Sequence, residues 1–247
     1  MISLALEIPT AYLRWWSPLT DIDFALAHQI LKSSDYAKFF AAQPEGREIL
    51  MDNSFHELGT PLPISDLAKA ARLCNATYVV APDKLGEPIW NENQFHATKK
   101  ALPNESVVPV MSGRNPEERR LYLQSVRASR MLLLPYREQR LTWFHEQGHL
   151  MVQNWKRIHL LGVSTLEELR AFVGISELSP DVLWSVDTAK PVKLGVIGRR
   201  IDDGAPLRGL KLTSKDLLDL KGLALEQVRA IELNIQILRA VCNGEPA

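Results

Sequence analysis

Short apolar runs recur along this chain of 247 residues, and three of them end in an aspartate. Residues 182–186 (Val-Leu-Trp-Ser-Val) deliver Asp187, residues 49–51 deliver Asp52, and residues 77–81 deliver Asp83 through Pro82. β-Branched and aromatic residues suit buried strands, and a carboxylate directly after one costs free energy unless it is paired, solvated or used. Eight such segments can be read, at 2–8, 49–51, 77–81, 107–111, 131–134, 158–161, 182–186 and 192–197. Helix-patterned stretches separate most of them. This alternation predicts an α/β fold with a parallel sheet, and the count of eight predicts a compact TIM-like (β/α)8 barrel. We read residues 1–247 as a single barrel domain, with 205–247 as a C-terminal helical closure. In a barrel, functional groups gather at the C-terminal strand ends, where Asp52, Asp83, Ser112, Gly162 and Asp187 fall.

The connections carry their own signals. Residues 21–40 read as one helix and residues 55–59 as a loop. Ser65 is a cap for a helix over 66–74, and a further helix is expected over 91–101. Asn115, with Pro116 and Glu118 behind it, opens a helix over 115–129. Residues 138–154 are helical, and a capping box from Ser164 to Glu167 or from Thr165 to Glu168 opens the next helix. A loop at 205–209 precedes helices at 214–220 and 225–241.

Composition narrows the function classes. Lys and Arg balance Asp and Glu at 29 each, so no global field favours nucleic acid. Two stretches are locally basic: residues 114–140 carry seven Arg against three Glu, and 190–215 carry seven Lys or Arg against two Asp. Cys74 and Cys242 are too few for a disulfide framework or a four-cysteine zinc site, which suits a cytoplasmic setting. The first ten residues lack a signal-peptide pattern, and no apolar run approaches about 18 residues, so no membrane partner is expected. No glycine-rich nucleotide motif is present.

Two carboxylates facing one another across a barrel mouth can divide nucleophilic and general acid/base duties at an anomeric carbon, their mutual field separating their pKa values. Asp83 on its Pro82 loop can accept from two adjacent N–H donors, the edge that guanine presents. Met51-Asp52-Asn53-Ser54-Phe55, Ala81-Pro82-Asp83, Val110-Met111-Ser112-Gly113, His159-Leu160-Leu161-Gly162 and Ser185-Val186-Asp187-Thr188 together resemble the ordered motifs of the tRNA-guanine transglycosylase superfamily. Asp52 to Gly59 looks most like its DNA-modifying branch, the 7-deazaguanine DNA transglycosylases of phages and bacteria.

The resemblance implies exchange of guanine in DNA for a 7-deazaguanine such as preQ0 or preQ1, with tRNA as the alternative polymer and no cofactor. It implies Asp187 as nucleophile and Asp52 as general acid/base. Asn53, Ser54, Asp83, Ser112, Gly113, Leu133, Leu134 and Gly162 would bind the base. Arg114, Arg119, Arg120, Lys190, Lys193, Arg199 and Arg200 would hold phosphates. A partner protein that opens the duplex is a further implied contact. The three-Cys-plus-His zinc site of the tRNA enzymes cannot be built from two cysteines.

His145-Glu146-Gln147-Gly148-His149 also reads as H-E-x-x-H. On a helix this pattern can bind zinc with Glu146 as general base of a metallopeptidase, Glu167 or Glu168 being the available third ligands. A barrel subunit that binds nucleic acid without catalysis is the third reading.

Overall fold

The computed structural model describes residues 1–103, 106–136, 140–203 and 214–245. Its strands are β1 (Ile2–Leu6), β2 (Asp23–Leu26), β3 (Ile49–Asp52), β4 (Tyr78–Val80), β5 (Ser106–Val108), β6 (Leu132–Leu134), β7 (Arg157–Leu160) and β8 (Leu183–Thr188). They form two parallel arcs, β2-β3-β4-β5 and β6-β7-β8-β1. Backbone bonds close both seams. Met111 N donates to Leu133 O at 2.8 Å and Leu133 N to Pro109 O at 3.0 Å. Asp21 N and Ile22 N donate to Leu4 O at 2.8 and 3.2 Å, and Leu4 N donates to Asp21 Oδ2 at 2.8 Å. The strands therefore follow chain order around one closed barrel, as the rhythm of the sequence predicts.

Two strand assignments differ from that reading. Residues 21–40 are not one helix: β2 occupies Asp23–Leu26, and α2 (Ala27–Lys32) and α3 (Ser34–Ala41) follow, after α1 (Leu13–Trp16) earlier in the chain. All four β2 residues are buried, so no alternation marks them, and a short apolar run carries no period of its own. Residues 192–197 are not a strand but most of α10 (Lys190–Val196), which Pro191 opens. Gly195 is needed there. A Cβ at that position would lie 2.6 Å from the Ile231 backbone N on α12 (Leu225–Cys242), so α10 and α12 touch backbone to backbone. The expected total of eight strands thus holds because a missed strand and a false one cancel.

The remaining helices are α4 (Phe55–Leu58), α5 (Ile64–Cys74), α6 (Pro88–Ala101), α7 (Pro116–Val126), α8 (Arg140–Asn154), α9 (Leu166–Leu178) and α11 (Ser214–Leu218). The short α4 stands where a loop is expected. Pro63, not Ser65, occupies the N-cap of α5. Asn115 caps α7 by accepting from Glu118 N at 2.9 Å. Thr165 caps α9, its Oγ1 accepting from Glu168 N at 3.0 Å, but the Glu168 side chain accepts from Ser164 N at 3.1 Å, so neither expected box closes on its own cap residue. The expected start of α8 at 138–139 and the loop at 205–209 lie outside the described residues.

Alternation along the strands sorts the barrel into two layers. Trp184 on β8 points outward against Phe144 of α8 and Phe172 of α9, while Ser185 and Asp187 point inward. Met51 on β3 meets Cys74 of α5, which leaves Leu50 and Asp52 for the interior. α12 fixes the segment after β8: Asn234 Nδ2 donates to Pro191 O and Arg199 O at 3.2 and 3.0 Å, and its Oδ1 accepts from Ile201 N at 2.9 Å. The side chains that α10 sends toward the mouth are held in this way. Among the described residues, no helix is long and apolar enough to cross a membrane.

Candidate active site

A cavity of about 1030 Å³ opens at the C-terminal end of the barrel. Five carboxylic acids line it: Glu7 after β1, Asp52 at the end of β3, Glu57 on α4, Asp83 after β4 and Asp187 on β8. Lys190 and Lys193 of α10 line it too, and Phe24, Leu26, Phe55, Leu85, Val110 and Tyr136 give it apolar walls.

Asp187 is the most firmly held of the acids. It is 3% exposed, and its Oδ1 meets His159 Nε2 at 3.0 Å and accepts from Gly162 N at 3.0 Å. His159 is fully buried on β7, its Nδ1 lies 2.8 Å from Ser185 Oγ, and its ring stacks parallel to Phe24 at 6.4 Å. The column Ser185–His159–Asp187 runs up the inside of the barrel and presents the carboxylate at its top. Gly162 has φ of +58°, the left-handed region, and this conformation turns its N–H onto Asp187. An added Cβ would meet Tyr136 Cβ only at 3.5 Å, so the backbone conformation, rather than space in the pocket floor, asks for glycine here.

The β3 end is built by side chains that hold other side chains. Asp52 Oδ2 accepts from Ser54 N at 2.7 Å, and Ser54 itself takes a left-handed φ of +63°. Asn53 Nδ2 donates to Ala81 O and to Asp83 Oδ1, both at 2.8 Å, and its Oδ1 accepts from Phe55 N at 2.9 Å. Asn53 thus ties β3 to β4 and aims Asp83. Burial raises the Asp83 carboxyl above its usual range, and the Asn53 bond works against that rise.

Glu7 and Glu57 were not among the expected site residues. Each has a buried carboxyl oxygen, Oε2, with no hydrogen-bond partner. Burial pushes Glu7 up to about 7, with Asp187 and Asp52 adding to the rise and Lys193 opposing it. Glu57 is also pushed up to about 7, first by burial and then by Glu7 and Asp187, with Lys193 again opposing. Asp52 is raised well above the ordinary range by burial and by Glu57. Carboxyls deprived of water hold their protons to higher pH, so Glu7 and Glu57 change charge close to neutral pH. The sequence did carry a signal for Glu7: it follows an apolar strand directly, as Asp187 does. Extending that strand to residue 8 hid it inside the element.

Several expected site residues are elsewhere. Leu133 and Leu134 are buried strand side chains, and Ser54, Ser112 and Gly113 do not line the cavity. Gly113 serves packing, since a Cβ there would sit 2.7 Å from Arg119 N. The expected phosphate ligands are mostly engaged. Arg119 is buried, paired with Glu146 and stacked on Trp143 at 4.8 Å. Arg114 binds Gly86 O and Glu87, both at 2.8 Å. Arg120 pairs with Glu117 and Arg200 with Asp202. Arg199 is exposed, and Lys190 and Lys193 face the cavity.

The H-E-x-x-H reading fails on the same pair. His145 and His149 are exposed on α8, at the barrel's outer ring, and Glu146 is bound to Arg119 rather than free to act as a base. No group of three or more His, Cys, Asp or Glu among the described residues is arranged to hold a metal ion.

No family model and no curated protein matches the chain. Solved structures do. The chain is similar to a putative fructose-1,6-bisphosphate aldolase from Coccidioides immitis, with a TM-score of 0.54 at 11% identity over 98% of this chain and 89% of that one. It is also similar to KGPDC from Streptococcus mutans, with a TM-score of 0.49 at 10% identity over 97% of this chain and 99% of that one. The first likeness establishes the TIM-barrel fold. The resemblance to the tRNA-guanine transglycosylase superfamily is overturned: the solved structure that shares this fold is a putative aldolase, and the guanine exchange, pentosyltransferase chemistry and phage DNA modification that the resemblance implied fall with it. The physical reason lies in the motifs themselves. Each is a few residues of apolar strand followed by a carboxylate or glycine, the composition that the C-terminal end of a parallel barrel strand asks for.

Proposed function

We propose that this chain is an enzyme that converts a small polar molecule by general acid/base catalysis in the barrel mouth. One observation carries the reading. Five carboxylic acids converge on a single cavity, and two of them, Glu7 and Glu57, are tuned to about 7 beside an Asp187 oriented by His159 and Gly162. Groups that titrate near the working pH are the most effective proton donors and acceptors, and clustered acids in different environments divide the roles. Asp187 is the oriented base, and Glu7 and Glu57 are the acids. Two lysines among five carboxyls, several of which burial holds partly protonated, leave no positive excess to bind several phosphates, which favours a neutral or cationic substrate. The apolar walls at Phe55, Leu85 and Tyr136 accept its less polar part.

The test has two arms. Carboxyl-labelled glutamate followed by NMR from pH 4 to 9 should show two glutamate signals titrating near 7, each lost in the matching Glu7→Gln or Glu57→Gln chain. Incubation with a mixture of small neutral and cationic metabolites, read by mass spectrometry, should show a compound consumed by the native chain and spared by Asp187→Asn. Ordinary glutamate titrations together with no consumption would sink the proposal.

A further inference from the structure

The acids and the two lysines of the mouth do not face each other evenly. Lys193 acts on Glu7 and Glu57, whose carboxyls it draws down. Lys190 stands apart. It is the first residue of α10, it lines the cavity, and among the described residues its ammonium has no hydrogen-bond or ion-pair partner. Glu168 is the carboxylate that acts on it, and that group is already occupied, accepting from Ser164 N at 3.1 Å and lying 3.5 Å from Arg140 Nη1. The Lys190 backbone is fixed: its N donates to Thr188 Oγ1 at 3.1 Å, and α10 is locked onto α12 through Gly195. A lysine placed on a rigid element, aimed into a cavity and given no partner has the geometry of a nucleophile.

We infer that Lys190 is a nucleophilic amine that forms a Schiff base with a carbonyl substrate, an aldehyde or ketone, in the barrel mouth. This rests on the reading of the mouth as an acid/base site. The half-buried position of Lys190 lowers its ammonium pKa through loss of water, the direction that supplies free amine near neutral pH. The amine's lone pair adds to the carbonyl carbon, and the C=O π pair moves to oxygen. That oxygen takes a proton from water in the open mouth, which the neutral carboxyls of Glu7 and Glu57 resupply. The nitrogen then returns a proton to that water, the hydroxyl takes one from it, and the nitrogen lone pair expels water. One amine, one carbonyl and one carboxyl proton become an iminium, water and a carboxylate.

The probe is pentane-2,4-dione, a diketone that condenses with free amines to an enaminone with loss of water. Peptide mass mapping of the native full chain, sampled over time at several pH values, should find Lys190 modified first. Its rate should level off at a lower pH than that of an ordinary lysine amine. The Lys190→Arg chain should lose that modification alone, with Lys193 no faster than the surface lysines. Because mapping is done on the native chain, the result does not depend on the variant folding. Modification of Lys190 no faster than that of the exposed lysines overturns the inference. The acid/base reading is judged separately: it survives a negative labelling result, and it falls if Glu7 and Glu57 titrate as ordinary glutamates and no compound is consumed.

Discussion

The two ends of the barrel treat their acids in opposite ways. At the N-terminal end the buried Asp23 and the partly buried Glu48 each meet an arginine. Asp23 Oδ1 accepts from Arg47 Nη2 at 2.8 Å and from Ser17 Oγ at 2.6 Å, and Glu48 Oε1 accepts from Arg157 Nη1 at 2.6 Å across the barrel. Arg47 also donates to Ser17 O, Thr20 O and Thr20 Oγ1 at 2.7 to 2.9 Å, so its charge and its geometry are both spent on structure. At the C-terminal end no arginine reaches Glu7, Asp52 or Glu57 among the described residues, and buried carboxyl oxygens are left without donors. The fold gives the buried Asp23 a cation at one end and leaves Glu7 and Glu57 without an arginine at the other, where the chemistry lies. Removing charge should therefore weaken the bottom at Arg47 and strengthen the top at Glu7.

The largest effect is expected at the bottom. Arg47→Met removes the cation from an Asp23 that is 2% exposed and leaves a buried charge uncompensated. Breaking a buried pair on one side costs about 3–5 kcal/mol, and the partial exposure of Arg47 puts this case near the lower figure. Urea denaturation should show the loss with the mouth titrations unchanged. A loss under about 1 kcal/mol would mean that the bottom pair is solvated like a surface one, and the contrast between the ends would disappear.

At the top the sign reverses. The Glu7 carboxyl rises on folding from 4.5 to about 7, so between those values the folded chain holds a proton that the unfolded chain has released. The contribution to stability is complete below pH 4.5 and is lost as pH climbs through about 7. Glu7→Gln keeps a neutral side chain at every pH. It should therefore flatten the decline in stability over this window and leave the chain more stable above it, by on the order of 1–2 kcal/mol. Denaturation midpoints across that range check it, and a destabilised Gln variant at high pH would refute the assignment of Glu7 as a strained acid.

This asymmetry explains what could be read from the sequence. The barrel is legible because its rhythm of apolar runs is a global property that survives local error: β2 merges into a helical pattern and α10 reads as a strand, yet the architecture stands. Asp52, Asp83 and Asp187 were legible because a carboxylate at a strand end is conspicuous. The roles attached to them were not, because an acid's role depends on what surrounds it in space. Glu7 and Glu57 join the site through burial that no pattern of spacing records. His159 holds Asp187 from the neighbouring strand, 28 residues away. Arg119 and Arg200 looked like phosphate ligands because the chain shows positive charge but not the carboxylate that folding brings against it. The same blindness produced the H-E-x-x-H metal reading, in which Glu146 was already committed to Arg119.

The smallest expected effect tests how far Glu7 and Glu57 depend on Lys193. Lys193 lowers both Glu7 and Glu57, so it opposes the burial that raises them. Replacing it with methionine keeps the stem and removes the charge. Both glutamate titrations should then move above about 7, by a fraction of a pH unit, because the interaction crosses a partly hydrated cavity where the effective dielectric is high. The shift should be larger at low salt than at high salt. The same change at Lys190, which is not among the groups acting on either glutamate, should leave both titrations in place. A downward movement after Lys193→Met, or an equal response to both lysines, would show that the acids are set by some group other than Lys193 and that the division of labour between the two lysines of α10 is not real.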